Sequence, residues 1–479
     1  MDDGHGARPG LEEYREALSL AADEALRFLE ALPEQPVRSK GADEAAMRFG
    51  GSLPEEGDGA TAAVRKLLDD GMEAVIRSAG PRFFHFVIGG STPAAVAADW
   101  LASSLDQNAS AWAATPLGAR LEAVSLAWLK QLFGFPDSWG GVLTTGATMA
   151  NFVGLACARR WWAQQHGVDL DEQGFAGLPS VPVFSSGFIH PSSTKALAML
   201  GIGRSTVRTF SADDSGRLDV EALEHALRDL GGKPAIIVAN AGEVNAGHFD
   251  PVARVADLAE EHGAWLHVDG AFGLFAAVSP RTSHLVDGIT RAHSAIADGH
   301  KWLNVPYECG FTFVRDVALM TPVFGVAAAY LPRVDDPRPN FMNMGPESSR
   351  RARSIPVWAT LQAYGRRGVR EIVERNLDLA QHVAQKVDEA PDLERLAEVP
   401  LNIVSFRYRP PDVAEEVVDD LNRRLGEAVL EDGRVFVGTT VYRGKVAFRP
   451  AFVNWMSTQD DADLLVEVIR ELGARLQTG

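Results

Sequence analysis

Short apolar runs alternate with amphipathic stretches between about residue 83 and residue 340. The apolar runs have the length of single strands, and the amphipathic stretches repeat their apolar positions every three or four residues, as helices do. The predicted strands are GGVLTTG, VPVFSS, AIIVANAG, AWLHVDG and GFTFVRD. The predicted helices are GARLEAVSLAWLKQLFG, ATMANFVGLACARRWWAQQ, STKALAMLG, DVEALEHALRDLG and PVARVADLAEEHG. This alternation predicts an α/β protein with a mostly parallel central sheet, whose ligands bind beyond the carboxyl ends of the strands.

The two ends of the chain follow other patterns. Apolar residues recur at helical spacing in LEEYREALSLAADEALRFLEAL, and a glycine- and proline-rich stretch that predicts an extended connection follows it. Such an arm has no core of its own, so we expect it to pack on the rest of the molecule or on a second subunit. After residue 346 a long helical pattern precedes mixed strands and helices, which predicts a smaller α+β domain. The predicted units are an N-terminal helix and arm (1–82), a large domain (83–345) and a C-terminal small domain with its connecting helix (346–479).

Composition narrows the possible classes of partner. A formal net charge of -18 argues against nucleic acid or an anionic membrane as the main ligand. Cys157 and Cys309 are the only cysteines, and their spacing fits neither a metal site nor a redox pair. The N-terminus has no signal-peptide pattern, no apolar run approaches the ~18 residues of a spanning helix, and no metal-binding motif occurs. We therefore expect a cytoplasmic protein without a metal, nucleic-acid or membrane partner.

The turn TTGAT, residues 144–148, has the features of a phosphate site. Its small residues let backbone N–H groups approach an anion, and the following helix adds its dipole. An ordinary helix capped by Thr148 is the alternative. A nucleoside-triphosphate loop is excluded because no Gly-Lys-Ser/Thr follows, and GIGRST lacks the third glycine of a dinucleotide fingerprint.

Three more candidate residues follow strand-like runs. Asp269 ends AWLHVDG, with His267 on the same face, and either binds a cationic partner or caps the next turn. His190 follows VPVFSSGF and either contacts a flat cofactor or packs as an ordinary histidine. Lys301, in ADGHKWLNVPYECG, is either a solvated lysine or a nucleophilic amine in a desolvated pocket. Jointly with the turn, they supply what pyridoxal phosphate needs: a phosphate cradle, a contact for the ring face, a carboxylate for the ring nitrogen and an amine for the Schiff base.

The sequence resembles the group II pyridoxal-phosphate-dependent amino-acid decarboxylases, which include the aromatic-L-amino-acid and glutamate decarboxylases. The motifs that carry the resemblance are HVDGAFG, DGHKW, GATMAN, SSGFIHPSSTKA, WAATPLGARLE and VAFRPAFVNWMST, and it covers roughly residues 75 to 479. The resemblance implies the fold type I, aspartate-aminotransferase-like architecture and a homodimer with its active site at the interface. Lys301 would form the Schiff base, Asp269 would pair with the ring nitrogen, and His190 would stack on the ring. The other implied contacts are the cofactor-binding Gly146, Ala147, Thr148, Ala271 and His300, and Arg449 near the substrate carboxylate.

Two departures from that family bear on the reaction. In relatives a mobile loop carries a tyrosine that protonates the carbanion, and Phe341 falls near that position here; relatives with phenylalanine tend towards oxidative deamination. Tyr330 or Tyr307 could supply the hydroxyl instead. Where most relatives have threonines, this chain has Glu243 and Asn245, and an acidic residue there either alters the chemistry or points away.

The resemblance implies decarboxylation of an L-amino acid to an amine and carbon dioxide. Alternatives are an aldehyde synthase, an aminotransferase or other carbanion chemistry on the same cofactor, and a non-catalytic binding protein, which would have no need for the full set of cofactor residues. Phe84, Trp112 and Pro116 indicate an apolar substrate pocket, although core packing explains the same residues.

Overall fold

The computed structural model describes residues 10–214, 216–326 and 337–478. Its larger sheet has seven strands in the order β1-β7-β6-β5-β4-β2-β3. The strands are β1 Gly140–Thr144, β2 Val183–Ser186, β3 Val207–Phe210, β4 Ile236–Asn240, β5 Trp265–Asp269, β6 Ser294–Asp298 and β7 Gly310–Val314. Only β7 runs antiparallel to its neighbours β1 and β6, and the other pairs are parallel. The predicted mostly parallel central sheet is therefore confirmed.

Helices cover this sheet. Strands β4 to β7 are buried at every residue, so both faces of the sheet are shielded from water. The α-helices up to the small domain are α1 Leu11–Ala31, α2 Ala42–Ala46, α3 Ala60–Gly71, α4 Pro93–Leu105, α5 Pro116–Phe133, α6 Ala147–Gln164, α7 Leu170–Gln173, α8 Pro191–Met199, α9 Val220–Asp229, α10 Val252–Glu261, α11 Gly299–Trp302 and α12 Met320–Phe324. Helix α6 packs on β5, β6 and β7, which brings its first turn to the carboxyl ends of the parallel strands.

Two strands of the large sheet are absent from the sequence prediction. Strand β6 consists of Ser, Ala, Ile, Ala and Asp, and only the isoleucine favours a strand. Strand β3 lies at the sheet edge, where its two middle residues are exposed, so it lacks an apolar run. Both strands form because they pair with neighbouring strands. Such pairing cannot be predicted from the local sequence pattern.

The N-terminal helix forms as predicted, and the connection after it differs. Helix α1 has no buried residue, and it contacts α3. The short helix α2 interrupts the stretch that the sequence predicts as extended, because its alanines pack inward. The arm thus folds back on itself before the chain enters the large sheet.

The C-terminal part forms a second sheet in the order β10-β11-β9-β8, antiparallel throughout. Its strands and helices are β8 Leu393–Arg395, β9 Phe406–Tyr408, β10 Thr439–Tyr442, β11 Lys445–Phe448, α13 Ser354–Glu389, α14 Glu415–Asp432 and α15 Gln459–Thr478. Helix α13 is kinked at Gly365, whose φ of 58° lies in the left-handed region. This arrangement matches the predicted α+β unit, and the boundaries at residues 82 and 345 stay predictions.

In the part of the chain that the structure describes, no helix has the length and apolar character needed to cross a membrane. No group of three or more His, Cys, Asp or Glu side chains suited to a metal ion occurs among the same residues.

Candidate active site

One pocket of about 370 Å³ lies at the carboxyl ends of the parallel strands. The structure brings together there all nine of the cofactor and carboxylate residues that the sequence nominates: Gly146, Ala147, Thr148, His190, Asp269, Ala271, His300, Lys301 and Arg449. These residues come from separate stretches of the chain: Asp269 and Lys301 lie at strand ends of the large sheet, whereas Arg449 follows β11 of the small sheet.

The predicted phosphate cradle is the turn from β1 to α6. Helix α6 begins at Ala147, and its cap residue Gly146 offers no side-chain hydrogen bond to the first turn. Thr148 is therefore inside the helix and is not its cap, so the capped-helix alternative is wrong. The φ of Gly146, 151°, is one that residues with a side chain rarely adopt. The uncapped backbone N–H groups of α6 border the pocket and can receive an anion.

Asp269, the last residue of β5, is held by a buried hydrogen-bond network. Its Oδ2 accepts from Asn151 Nδ2 and from Ser193 Oγ, both at 2.9 Å. Burial by itself raises the pKa of this carboxyl. Electrostatic interaction with His190, the two side-chain hydrogen bonds and the charge of Lys301 outweigh burial and hold the pKa of Asp269 below its ordinary value. Asp269 is thus an ionised carboxylate.

His267 extends that network beyond Asn151. Its Nε2 lies 2.8 Å from Asn151 Oδ1, and its Nδ1 lies 2.8 Å from Ser294 Oγ. Burial lowers the pKa of His267 to about 4, so the ring is neutral. Because an amide oxygen only accepts, Nε2 carries the proton and donates it to Asn151. This fixes the amide orientation in which Asn151 donates to Asp269.

His190 caps helix α8 at the pocket edge. Its Nδ1 accepts from the Ser192 backbone N–H at 3.2 Å and lies 2.6 Å from Ser192 Oγ. Burial lowers the pKa of His190, although Asp269 opposes the shift. The ring is therefore neutral with its proton on Nε2, and it can lie against a flat cofactor without adding a charge.

Lys301 lies in the short helix α11, directly after β6. Its Nζ is 3.5 Å from Asp298 Oδ2 and 5.6 Å from the centroid of the Phe272 ring. Gly89 closes this site from outside: its N–H donates to the His300 carbonyl, and a side chain there would place Cβ 1.8 Å from the Lys301 carbonyl oxygen. The Lys301 side chain is 14% exposed, so the amine lies in a partly desolvated part of the pocket.

Asp298 is a site residue that the sequence reasoning missed. It is 2% exposed, and its Oδ2 also lies 3.4 Å from His300 Nε2. Its Oδ1 is buried without a hydrogen-bond partner. Burial raises the pKa of Asp298, against the opposing charges of Lys301 and His300. Its position in ADGHKW, between a strand and the lysine, is the sequence feature that could have identified it as a pocket residue.

Arg449 and Glu243 are the charges on the opposite side of the pocket. Arg449 is 9% exposed, and its Nη1 is buried without a partner. Burial lowers the pKa of Arg449 and raises the pKa of Glu243, whose carboxylate accepts hydrogen bonds from backbone amides, including those of Asn245 and Ala246. Glu243 thus faces the pocket and does not point away. The Asn245 side chain accepts from Thr440 instead and does not line the pocket.

Three residues expected to line the substrate side are absent from the pocket wall. Phe84 is 1% exposed and packs on Phe452 in the small-domain core. Trp112 is half-buried and absent from the pocket wall of its own chain, as is Pro116 at the start of α5. Phe86, two residues along from Phe84, lines the pocket instead. Sequence alternation in RFFHF could not tell which phenylalanine faces inward, since this stretch is neither strand nor helix.

Phe341 also lies outside the pocket. It is 4% exposed within the large core, and the Arg350 guanidinium carbon lies 5.7 Å from its ring centroid. Tyr330 lies outside the described residues. Tyr307 does line the pocket, with its ring stacked on His300 at a centroid distance of 4.3 Å. Among the described tyrosines, the pocket therefore contains a phenol at position 307.

A phosphate cradle, a carboxylate for a ring nitrogen and an amine at the ends of neighbouring strands define a pyridoxal-phosphate-dependent enzyme of α/β fold. The residues fit the cofactor because the N-terminus of α6 borders the pocket and Asp269 is ionised. Residues 51–409 match the pyridoxal-dependent decarboxylase conserved domain. The chain belongs to this family, its cofactor is pyridoxal 5'-phosphate, and it is an amino-acid decarboxylase.

Named relatives agree with this assignment. The chain is similar to an aromatic-L-amino-acid decarboxylase of Bacillus atrophaeus, with 29% identity over 96% of this chain and 95% of the relative. It is similar to an L-2,4-diaminobutyrate decarboxylase of Rhizobium meliloti, with 31% identity over 89% and 84%. Among solved structures, Oryza sativa TDC with PLP and tryptamine has a TM-score of 0.90 at 25% identity, covering 98% of this chain and 99% of that one. These relatives act on different side chains, so the family does not fix the substrate.

Proposed function

We propose that the enzyme removes the α-carboxylate of an L-amino acid as carbon dioxide and releases the corresponding amine. The observation that carries the proposal is one pocket that contains Lys301, the ionised Asp269 and Arg449, whose Nη1 is buried without a hydrogen-bond partner. Bound pyridoxal phosphate would supply an electron sink for the bond that breaks. Asp269, fixed by Asn151 and Ser193, would keep the ring nitrogen protonated.

Arg449 would hold the substrate carboxylate. A buried guanidinium with an unsatisfied N–H costs free energy until an anion binds it. A carboxylate matches the planar fork of a guanidinium, and the low-polarity surroundings strengthen the pair. The substrate would thereby be oriented with its carboxylate away from Lys301.

Asp298 would serve the lysine after substrate displaces it. Its Oδ2, 3.5 Å from Lys301 Nζ, can hold the released amine as an ammonium ion. The same carboxylate is close to His300, so a proton can pass among these groups without reaching bulk water. Lys301 would then be positioned to reattach to the cofactor as the product leaves.

The lysine assignment is tested by reduction. Borohydride treatment of the holoenzyme, followed by peptide mass mapping, should place the pyridoxyl group on Lys301. Lys301→Ala should show no reduced adduct. A pyridoxyl group on another lysine of the wild-type protein would contradict the assignment. A colourless protein that stays colourless with added pyridoxal phosphate would favour the non-catalytic alternative.

The second candidate function is an oxygen-using aldehyde synthase, or another reaction of the same carbanion such as transamination. It is favoured by the residue type of Phe341, which falls near the position of the relatives' proton-donating tyrosine and has no hydroxyl. Carbon dioxide, ammonia and hydrogen peroxide should be measured together for one substrate. Carbon dioxide without the other two excludes the oxidative reaction. A panel of aromatic, acidic and diamino acids would identify the substrate.

We further propose that the enzyme is a homodimer with its active site at the interface. Leu11, Tyr14 and Leu18 on α1 are 84%, 62% and 59% exposed. An apolar groove of about 370 Å³ runs between α1 and α4, lined by residues that include Leu29 and Trp100. Apolar surface of this extent supports burial against a second copy. Sedimentation should give the mass of two chains, and removal of residues 1–59 should shift the protein towards monomer.

We also propose the cytoplasm as the working compartment. Cys157 and Cys309 are both buried thiols, and burial raises the pKa of Cys309, which keeps it protonated and unreactive. A chain with thiols and no disulfide suits a reducing compartment. Cell fractionation, with the activity assayed in each fraction, would test this location.

A further inference from the structure

One charged residue of the pocket has no role in the reaction proposed above. The carboxylate, ammonium and guanidinium side chains on the pocket wall are those of Glu243, Asp269, Asp298, Lys301 and Arg449. Asp269 is assigned to the ring nitrogen, and Asp298 is assigned to the amine of Lys301. Arg449 is assigned to the substrate α-carboxylate. Glu243 is therefore left without an assignment.

Glu243 is a buried carboxylate without a cationic partner. It is 7% exposed, and its oxygens accept hydrogen bonds from the backbone amides of Asn245 and Ala246. Among the residues that the structure describes, hydrogen bonds alone hold this carboxylate, and no ion pair does. Burial raises the pKa of Glu243 in spite of these hydrogen bonds, so they offset only part of the cost of a buried charge. A cation beside Glu243 would stabilise it further.

Arg449 does not supply that cation. The negative charge of Glu243 opposes the effect of burial on the pKa of Arg449, so the two side chains influence each other. No ion pair joins these two described side chains, and Nη1 of Arg449 is buried without a hydrogen-bond partner. The two opposite charges are therefore available to two separate groups of one ligand.

Apolar side chains complete this side of the pocket. Phe86, Phe188 and Val244 line the wall, and Val244 follows Glu243 in the chain. Methylene groups of a ligand can pack against such a surface while a charged group at their end reaches a partner. A short aliphatic chain with a cationic end matches both the apolar wall and the carboxylate.

We propose, on the basis of the decarboxylation proposed above, that Glu243 selects L-amino acids whose side chain ends in an ammonium group. Arg449 would bind the α-carboxylate, and Glu243 would accept hydrogen bonds from the ammonium group at the other end of the substrate. Each buried charge would then have a partner of opposite sign, which a buried ion needs.

The same arrangement would exclude acidic side chains. A second carboxylate on the substrate would be repelled by Glu243. With Lys301 committed to the cofactor and Arg449 to the α-carboxylate, no further Lys or Arg lines the pocket among the described residues. A desolvated carboxylate without a cation is costly, so such a substrate would bind weakly.

A purely structural role for Glu243 predicts a different result. Its hydrogen bonds shape the turn after β4, and Asn245 in that turn accepts a hydrogen bond from Thr440 of β10 at 2.8 Å. Damage to the turn would lower the turnover of every substrate alike. Selection by charge instead changes the ratio between substrates, so the test measures ratios.

The first measurement compares wild-type holoenzyme on matched pairs of amino acids. L-2,4-diaminobutyrate and L-norvaline have side chains of equal length that end in an ammonium and a methyl group. Ornithine with norleucine, and lysine with 2-aminoheptanoate, extend the comparison by one methylene each. We expect the ammonium member of at least one pair to exceed its methyl partner in kcat/KM by about 100-fold. Burial of a methyl group alone would favour the other member.

The second measurement repeats that pair with Glu243→Gln. Glutamine keeps the length of the side chain and removes its charge. We expect the ratio of kcat/KM to fall by about 100-fold, with the methyl substrate within several-fold of wild type. The matched control is Glu398→Gln, which removes a carboxylate that is 79% exposed, pairs with Arg217 and lies outside this pocket. This variant should keep the wild-type ratio.

A measurement independent of turnover uses the product amines. For the first pair these are 1,3-diaminopropane and butylamine, and their dissociation constants follow from the spectral change of the cofactor. We expect the diamine to bind wild type about tenfold more tightly than the monoamine and to lose this advantage in Glu243→Gln. The absorption spectrum and dissociation constant of the cofactor should be the same in both proteins, which shows that the cofactor site is intact.

Four results would overturn the inference: an aromatic, acidic or methyl-ended amino acid as the best substrate, an unchanged ratio in Glu243→Gln, an equal change in Glu398→Gln, or equal affinity of wild type for the two amines. In each of these cases carbon dioxide is still released from an amino acid. Wild-type protein that releases none from any amino acid overturns the proposed function itself, which separates that failure from the other four.

Discussion

The two sides of the pocket are built differently. On the cofactor side, Asp269 is tied through Asn151 to His267 and Ser294, and each side-chain nitrogen or oxygen in that chain has a partner. On the substrate side, Phe86 is 60% exposed with a φ of 57°. Arg449 has a buried N–H without a partner there.

On the cofactor side the polar groups are oriented before a ligand binds, whereas on the substrate side some polar groups lack a partner until a ligand binds. A satisfied network loses nothing when the cofactor binds, because its dipoles are already oriented. Left-handed backbone at a residue with a side chain and a buried guanidinium N–H without a hydrogen-bond partner both cost free energy. That cost persists on the substrate side, where a bound amino acid can offset part of it. In the roles proposed above, the cofactor side sets the kind of chemistry, and the substrate side sets which amino acid reacts.

The largest effect is expected on the cofactor side. Asp269→Asn removes the negative charge but keeps the shape, so the ring nitrogen loses its proton. We expect kcat/KM to fall about 100- to 1,000-fold, the cost of breaking a buried ionic interaction. The same substitution at Asp257, which pairs with Arg291 on the surface, should leave kcat/KM unchanged. A loss of less than tenfold at Asp269 would show that the buried carboxylate is not used.

The next effect concerns the substrate side. Arg449→Gln should lower kcat/KM by about 100-fold, because the substrate carboxylate loses a buried ionic partner. The product amine has no carboxylate, so its dissociation constant, measured by the spectral change of the cofactor, should be unaffected. An equal loss of affinity for amine and amino acid would mean that Arg449 only supports the pocket wall.

A smaller effect tests the network behind Asp269. Asn151→Ala removes a hydrogen bond that favours the ionised carboxylate, so the pKa of Asp269 should rise. The enzyme needs that carboxylate ionised, so activity is lost as pH falls through this pKa, and the acid limb of the pH profile should move to higher pH. We expect the acid limb to move by about one pH unit, with activity near neutral pH close to that of wild type. Ser193→Ala removes the other donor to the same oxygen and should shift the acid limb in the same direction. An acid limb that does not move in either variant would contradict the proposed role of these hydrogen bonds.

The smallest effect is on stability. The pKa of His267 is about 4 in the fold and near 6.5 when the chain is unfolded. The unfolded chain therefore takes up a proton between these values that the folded chain does not, and stability is lost as pH falls from 6.5 towards 4. His267→Gln should reduce this loss by roughly 1–3 kcal/mol in urea unfolding at pH 7 and pH 5. His225→Gln, on an exposed face of α9, should leave the dependence on pH unchanged.

The cofactor side and the substrate side also differ in how well the sequence predicts them. Residues of the cofactor side carry distinctive chemistry in short motifs, so Lys301, Asp269 and the 144–148 turn are recognisable in the sequence alone. Asn151 lies within the GATMAN motif, but nothing local says that a helix residue donates to an aspartate 118 positions away. The orphaned Oδ1 of Asp298 is likewise visible only when α6 is packed against β6.

The residues that line the substrate side could not be predicted from the sequence, because irregular backbone sets their positions. Phe84 and Phe86 are equally apolar, and which one enters the pocket depends on the left-handed turn at 86–87. Spacing placed Phe341 near a catalytic loop, whereas its side chain packs under Arg350. Loops lack the periodicity that assigns a side chain to a face, so spacing along the chain does not give position in space.

The sequence by itself determined the alternating architecture, the cofactor and the residues proposed to hold it, because periodicity and residue chemistry are local properties. Tertiary structure alone decided that nine scattered residues share one pocket, that Asp269 is ionised and that Tyr307 stands at the lysine end of it. The physical reason is that strand order, burial and hydrogen bonding depend on contacts between segments far apart in the chain. Those contacts set the local polarity and the protonation states on which the chemistry depends.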